Sequence, residues 1–242
     1  MLRGKTYWIV GASEGLGRSL ALELDAQGVN LVVSARSEDR LVELADELAL
    51  PTRICPLDVS DSVAVAKAVE TVGQIDGVIF AAALYEPMKA QGWDAGQSEL
   101  LANVNFLGGI RILSRVVPQF VERDSGHIVV IGSLSGYRGL PGALAYGASK
   151  AGLMHLTEAL HADLWKTGVK TQLFNLGFIR TRLTDKNKFT MPFIMSPEQV
   201  AKKIVQSMVK RRFKFDIPLP FSLFFRLSRL LPQALYNRIF AK

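Results

Sequence analysis

The sequence predicts one α/β domain built on a doubly wound parallel sheet. Three observations predict it. Short, almost continuously apolar runs alternate with helical periods; a glycine cluster follows the first run; and 242 residues suit one well-buried core. Runs at 6–10, 30–35, 52–57, 75–82, 127–131 and 169–175 read as strands, with 214–217 as a last edge strand. Helical segments fall near 15–27, 38–49, 61–72, 97–122 and 146–167. In 38–49, Leu41, Leu44, Ala45 and Leu48 share one face. Pro118, inside the fourth helix, predicts a kink or an end there. This β-α-β order implies right-handed crossovers, with helices on both faces of the sheet.

Composition narrows the class. Apolar residues make up 49% and charged residues 21%, which is globular rather than disordered. Cys55 is the lone cysteine, so no internal disulfide is possible, and a reducing, cytoplasmic setting is expected. No signal peptide is read at the N-terminus, and no stretch approaches the ~18 charge-free apolar residues of a membrane span. The net charge is +7, yet 200–242 alone carries +9, from ten basic residues against Asp216. The body is therefore slightly acidic. That argues against nucleic acid as a partner and for a local charged surface. His127, His155 and His161 lack metal-ligand spacing, so no metal is expected.

The first strand runs into Gly11-Ala12-Ser13-Glu14-Gly15-Leu16-Gly17. Glycines there permit a tight strand-to-helix turn and let backbone N–H groups approach a pyrophosphate at the helix N-terminus. This makes the fold Rossmann-type. After the second strand no acid occupies 34–36, where one would bind a ribose 2′-hydroxyl. Arg36 offers instead a planar cation for the 2′-phosphate of NADP, although an exposed loop arginine would look the same. Glu14 would repel that phosphate, with Arg18 available to offset it. Asp58 follows the third strand as either an adenine acceptor or a turn former, with Ser60 or Asp61 the better helix cap.

Tyr146 and Lys150 are four apart, which places them one turn apart on a helix face. An ammonium beside a phenol favours phenolate and lowers a pKa that is ordinarily ~10. Ser133 ends the fifth strand, and the glycine-rich loop 136–142 lets it reach Tyr146. Strand ends are where ligands sit in open α/β sheets.

These residues carry a resemblance. Ile131-Gly132-Ser133 with Tyr146-Gly147-Ala148-Ser149-Lys150 resembles the active-site signature of short-chain dehydrogenases/reductases, and Gly11-x-x-x-Gly15-x-Gly17 resembles their cofactor motif. Asn105 resembles the family's active-site asparagine, with Asn103 as its rival; 175–181 is similar to the segment bordering the nicotinamide. The similarity spans about 5–215. It implies that Tyr146 exchanges the proton with the substrate oxygen, which Ser133 orients. It gives Lys150 the tuning of Tyr146 and the nicotinamide ribose, and Asn105 a water leading to Lys150. It also implies that Gly11, Ser13, Gly15, Leu16, Gly17, Arg36, Asp58, Val59, Ala82, Gly177, Ile179 and Thr181 line an NADP site. Departures are Phe80-Ala81-Ala82-Ala83 where Asn-Asn-Ala-Gly is usual, Leu176 for proline and Val10 for threonine. None removes a catalytic group. Homo-oligomerisation through 97–122 and 146–167 is a further implication of the family.

The expected organisation is a catalytic domain over 1–217, with an apolar substrate-covering segment near 182–197, and a basic amphipathic tail over 218–242. In the tail, bulky apolar residues mix with arginines. That suits a peripheral membrane contact, a subunit contact or a cap over the cleft. The expected function is hydride transfer between NADP(H) and an apolar carbonyl or alcohol. The alternative is a non-catalytic dinucleotide-binding regulatory protein or a membrane-surface scaffold.

Overall fold

The structure is a computed structural model and describes residues 2–187 and 189–240. Its strands are β1 (Thr6–Val10), β2 (Asn30–Ser34), β3 (Arg53–Ile54), β4 (Gly77–Phe80), β5 (Gly126–Ser133), β6 (Val169–Leu176) and β7 (Lys214–Ile217). All pair in parallel, in the order β3–β2–β1–β4–β5–β6–β7. The helices are α1 (Gly15–Asp25), α2 (Glu38–Glu47), α3 (Ser62–Val72), α4 (Ala95–Ala102), α5 (Gly108–Glu122), α6 (Leu144–Asp163), α7 (Pro197–Met208), α8 (Leu219–Ser228) and α9 (Gln233–Phe240). The chain order reverses between β1 and β4, so a crevice opens above the carboxyl ends of those strands.

Period-two alternation sorts the core. On β1, Tyr7 and Ile9 face α1, α2 and α7, through Leu20, Leu41 and Ile204. Trp8 and Val10 face α3, α5 and α6, through Val65, Ile112 and Leu153. Both faces are dry, which explains why the strands read as unbroken apolar runs. The predicted third strand shrinks to two residues. It is an edge strand, and Pro56 offers no N–H, although Cys55 and Leu57 still donate to Val33 and Ala35 of the β2 segment.

The fourth helix begins earlier than predicted and passes through a π turn at Asn103–Leu107. It also continues past Pro118, one turn from its end, which leaves the Ser114 carbonyl without its helical N–H donor. By length and composition this 28-residue run could cross a bilayer, which the charge-free criterion missed because Arg111 and Arg115 interrupt it. Here its apolar face (Ile112, Leu113, Val116, Phe120) is buried on the sheet.

The amino-terminal edge of the sheet is pinned by a buried polar network. The Tyr7 hydroxyl is hydrogen-bonded to His127 Nδ1 at 2.7 Å, and His127 Nε2 to Gln172 Oε1 at 3.0 Å. Gln172 donates in turn to the carbonyls of Ser207, Lys210 and Arg212. Burial, with Lys170 nearby, depresses the His127 pKa from 6.5 to about 3, so the imidazole is neutral. As pH falls below 6.5 the unfolded chain takes up a proton that the folded chain refuses. Stability contributed by neutral His127 is therefore lost in that window, by up to about 1.4 kcal/mol per pH unit. Urea unfolding of wild type and His127→Gln at pH 7 and pH 5 should show a shallower pH dependence in the variant. Parallel losses in both proteins would contradict this origin.

Candidate active site

A cleft of about 930 Å³ runs along the carboxyl ends of the strands. It starts at the β1–α1 turn. Gly11 takes φ +96°, and a side chain there would collide with the backbone of Ala82 at the end of β4. Helix α1 opens without a side-chain cap and without an acid in its first turn, so its N–H groups are left for an anion from the cleft. Ser13, Gly15, Leu16 and Gly17 line this end, with Thr181 against Gly15. Val59, Ala82, Gly177 and Ile179 line the middle. These features fit a dinucleotide.

The far rim is cationic. Arg36 is exposed at the cleft edge, and the neighbouring Ser34 is buried, accepting from the Trp8 indole at 2.8 Å. Glu14 is held between Arg40 at 2.9 Å and Arg182 at 2.6 Å. The expected offset by Arg18 is not what forms, because Arg18 turns to Glu47 on α2. Two other arginines do that work. Asp58 accepts at Oδ1 from the Ser60 N–H and hydroxyl, at 2.8 and 2.7 Å, while Asp61 caps α3. Burial pushes the Asp58 carboxyl up, but Ser60 and the Arg36 and Arg111 guanidiniums outweigh it and hold it below its ordinary value. Asp58 is thus a turn former that also faces the cleft.

At the other end, Ser133 closes β5, and Tyr146 and Lys150 stand one turn apart on α6. Ser133 Oγ is hydrogen-bonded to Ser135 Oγ at 2.9 Å and lines the cleft together with the Tyr146 phenol. The loop after β5 reaches α6 because Gly136 has no side chain: a Cβ would strike Met154 and the Ala151 backbone. Burial drives the Tyr146 phenol up to about 12, Ser133 pulling the other way and Tyr85 adding to the rise. Lys150 makes no hydrogen bond to the phenol. Its Nζ donates to the Ile131 carbonyl at 2.9 Å, and burial alone brings its pKa down to about 8.

Asn105 lies in the π turn, fully buried, and does not line the cleft. Its Oδ1 accepts from the Leu84 N–H at 2.7 Å, and its Nδ2 donates to the Leu84 carbonyl at 2.9 Å and to Ser149 Oγ at 3.1 Å. It therefore clamps the loop after β4 to α6. Asn103, its rival, makes no such bridge: its side-chain oxygen is buried without a partner among the described residues, and its hydrogen bonds run through its backbone.

Two residues escaped the sequence reading. Tyr85 packs edge-on to Tyr146, with centroids 4.9 Å apart, and donates to Asn187 at 2.7 Å. Arg138, in the 136–142 loop, donates to the Ser228 and Leu231 carbonyls and to Gln233, and stacks on Tyr236 at 3.9 Å. The only signal for either was position: beside the altered strand-four segment, and inside the glycine-rich loop.

The covering segment divides. Phe189, Thr190 and Pro192 line the cleft, whereas Met195 packs toward the core and bridges to Ile179. Lys188 lies outside the described residues. The tail caps the cleft: Phe221, Phe224, Phe225 and Phe240 line it, with Phe221 near Phe178, Phe193 and Phe225.

Because Arg138 joins the active-site loop to the tail, Arg138→Ala should loosen α8 and α9 locally. Losing charge-assisted bonds of this kind costs roughly 1.5–3 kcal/mol each. Hydrogen exchange should accelerate in 219–240 and stay unchanged in the sheet. Uniform protection across both would show that Arg138 carries no such load.

Known proteins place this architecture. Residues 5–191 match the short chain dehydrogenase family. An uncharacterized oxidoreductase of Myxococcus xanthus is 33% identical over 240 residues, covering 96% of this chain and 95% of the relative. Among solved structures, the closed form of a serine dehydrogenase complexed with NADP+ superposes with a TM-score of 0.80 at 24% identity, covering 88% of this chain and 94% of that one. A 3-ketoacyl-(acyl-carrier-protein) reductase of Brucella melitensis, complexed with NADH, superposes at 0.82 and 21%, covering 90% and 98%. The match in sequence, across most of the chain and in the order of its motifs, makes this protein a member of the short-chain dehydrogenase/reductase family of oxidoreductases.

Proposed function

We propose that this chain is an NADP(H)-dependent carbonyl reductase acting on an apolar substrate, with alcohol oxidation as the reverse reaction. The family uses nicotinamide dinucleotides, and the related folds hold both kinds. The choice of NADP rests on this chain's own rim, where Arg36 stands free of any acid at 34–36 and Glu14 is already neutralised by Arg40 and Arg182. When bound, the nicotinamide supplies the hydride for the carbonyl carbon.

The observation that carries the reading is that Ser133, Tyr146 and Lys150 line the same cleft, with Tyr146 and Lys150 one turn apart on α6. A phenol at about 12 is protonated at neutral pH, the form that donates to a carbonyl oxygen. Ser133 supplies a second hydrogen bond to that oxygen and fixes its approach. Lys150, buried and held by Ile131, is the cation one turn along α6 from the phenol, and it would hold the nicotinamide ribose when the cofactor is bound. Asn105 acts through Ser149 and Leu84 as a positioning residue, so a water relay to Lys150 is not part of this reading. The aromatic lining at Phe178, Phe189, Phe221 and Phe225 favours a greasy substrate over a small polar one.

Steady-state turnover of NADPH with a panel of aldehydes, ketones and long-chain 3-keto compounds tests the activity, and distinguishes an enzyme from a dinucleotide-binding scaffold. On an accepted substrate, Tyr146→Phe should lower turnover by a factor on the order of 10²–10⁴ and leave NADPH binding nearly intact. Ser133→Ala should lower turnover with little change in cofactor affinity, whereas Lys150→Ala should reduce both. Near-normal turnover in Tyr146→Phe would assign the proton to another group.

Cofactor choice is tested separately. Arg36→Ala should weaken NADPH by roughly 1.5–3 kcal/mol, the worth of a lost charge-assisted bond, and leave NADH almost unchanged. Equal affinity of the wild type for both nucleotides, measured by titration, would refute the NADP assignment.

A further inference from the structure

Helix α8 is inverted. Its buried positions are Ser222, Phe225 and Ser228, while Leu219, Leu223 and Leu227 form an exposed row at i, i+4 and i+8. The two serines sit 0% and 2% exposed, and their hydroxyls return to the Leu219 and Phe225 carbonyls of the same helix. Their inward placement is thus tolerated without any partner from the body. Beyond the helix, Leu230 is 80% exposed, and Leu235 and Ile239 form a second outward pair on α9. A soluble surface helix carries the opposite arrangement, with its apolar stripe inward.

The charge of this face is of one sign. No acid occurs in 218–242, and Arg226, Arg229 and Arg238 are all exposed. Arg226 faces the buried Asp216 at 3.8 Å; Arg229 and Arg238 form no ion pair among the described residues. A second copy of the chain docked face to face would set these arginines against each other, at a Coulombic cost. An anionic bilayer meets both features at once: acyl chains for the leucines and headgroups for the arginines. The face is also continuous with the cleft, because Phe224 is half exposed on the outside and lines the cleft within.

We propose that the outward face of α8 and α9 docks on an anionic lipid bilayer and sets the mouth of the cleft against it. The docking surface is Leu223, Leu227, Leu230 and Ile239, ringed by Arg229 and Arg238. It requires no catalytic step, so it stands or falls apart from the reductase reading.

The test is co-sedimentation of the full chain with two vesicle preparations: phosphatidylcholine alone, and equal parts phosphatidylcholine and phosphatidylglycerol. Binding is expected to the mixed vesicles, weakly or not at all to phosphatidylcholine, and to fall as salt is raised. The double variant Leu227→Glu with Leu230→Glu should lose partitioning by roughly tenfold or more, since each buried leucine is worth about that factor. These side chains are mostly exposed and lie outside the cleft, so the thermal midpoint and soluble-substrate turnover should hold. Arg229→Glu with Arg238→Glu should erase the preference for phosphatidylglycerol. The proposal is overturned if the wild type stays in the supernatant with mixed vesicles, or if the leucine variant sediments as well as wild type. It is equally overturned if size-exclusion chromatography gives a dimer that the leucine variant dissociates, for then a second copy covers the face.

Discussion

A parallel sheet buried on both faces confines polar chemistry to its two edges. Trp8, Ile9, Val33, Ile79 and Val129 fill the space between the layers, so the polar groups of the site gather at the strand ends and on the helix, α6, that passes over them. At the amino-terminal edge this produces a closed network of Tyr7, His127 and Gln172, in which each group satisfies another. At the carboxyl edge it produces the opposite: an uncapped helix start, a strand-end serine and a tyrosine facing open space. One edge is satisfied internally and holds the sheet; the other is left to meet ligands.

Much of this was legible because it is local. Alternation in β1, the glycine turn and the four-residue spacing of Tyr146 and Lys150 need no tertiary knowledge. What could not be read is long-range. Whether Glu14 meets Arg18, Arg40 or Arg182 depends on how α2 and the segment after β6 lie over the turn, and Arg182 is 168 positions away. How Lys150 bears on Tyr146 is long-range as well, because spacing puts Lys150 nearby but only the fold turns its Nζ to Ile131. The tail offers three readings from sequence alone, and that its inner face (Phe221, Phe225) lines the cleft is visible only in the fold, because Phe221 packs near Phe178, more than forty positions away.

The site also illustrates how a departure from a family pattern is absorbed. Alanines at 81–83 remove side-chain hydrogen bonding after β4, yet Asn105 reaches across to grip Leu84 with both its carbonyl and its amide. The loop is anchored one residue further along, by a side chain on the facing helix. Tyr85, the next residue, is thereby delivered against Tyr146.

One loop serves two masters. Gly136 presses on α6, the helix that carries Tyr146, while Arg138, two residues on, grips the ends of α8 and α9. Ser133 belongs to the same short span. A molecule too bulky for the aromatic chamber must therefore displace the cap, and in doing so it pulls on the backbone that aims Ser133 at Tyr146. On the proposed reading, size would be sensed twice, once as steric exclusion and once as misalignment of the proton donor, and a poor fit would be penalised in rate as well as in occupancy.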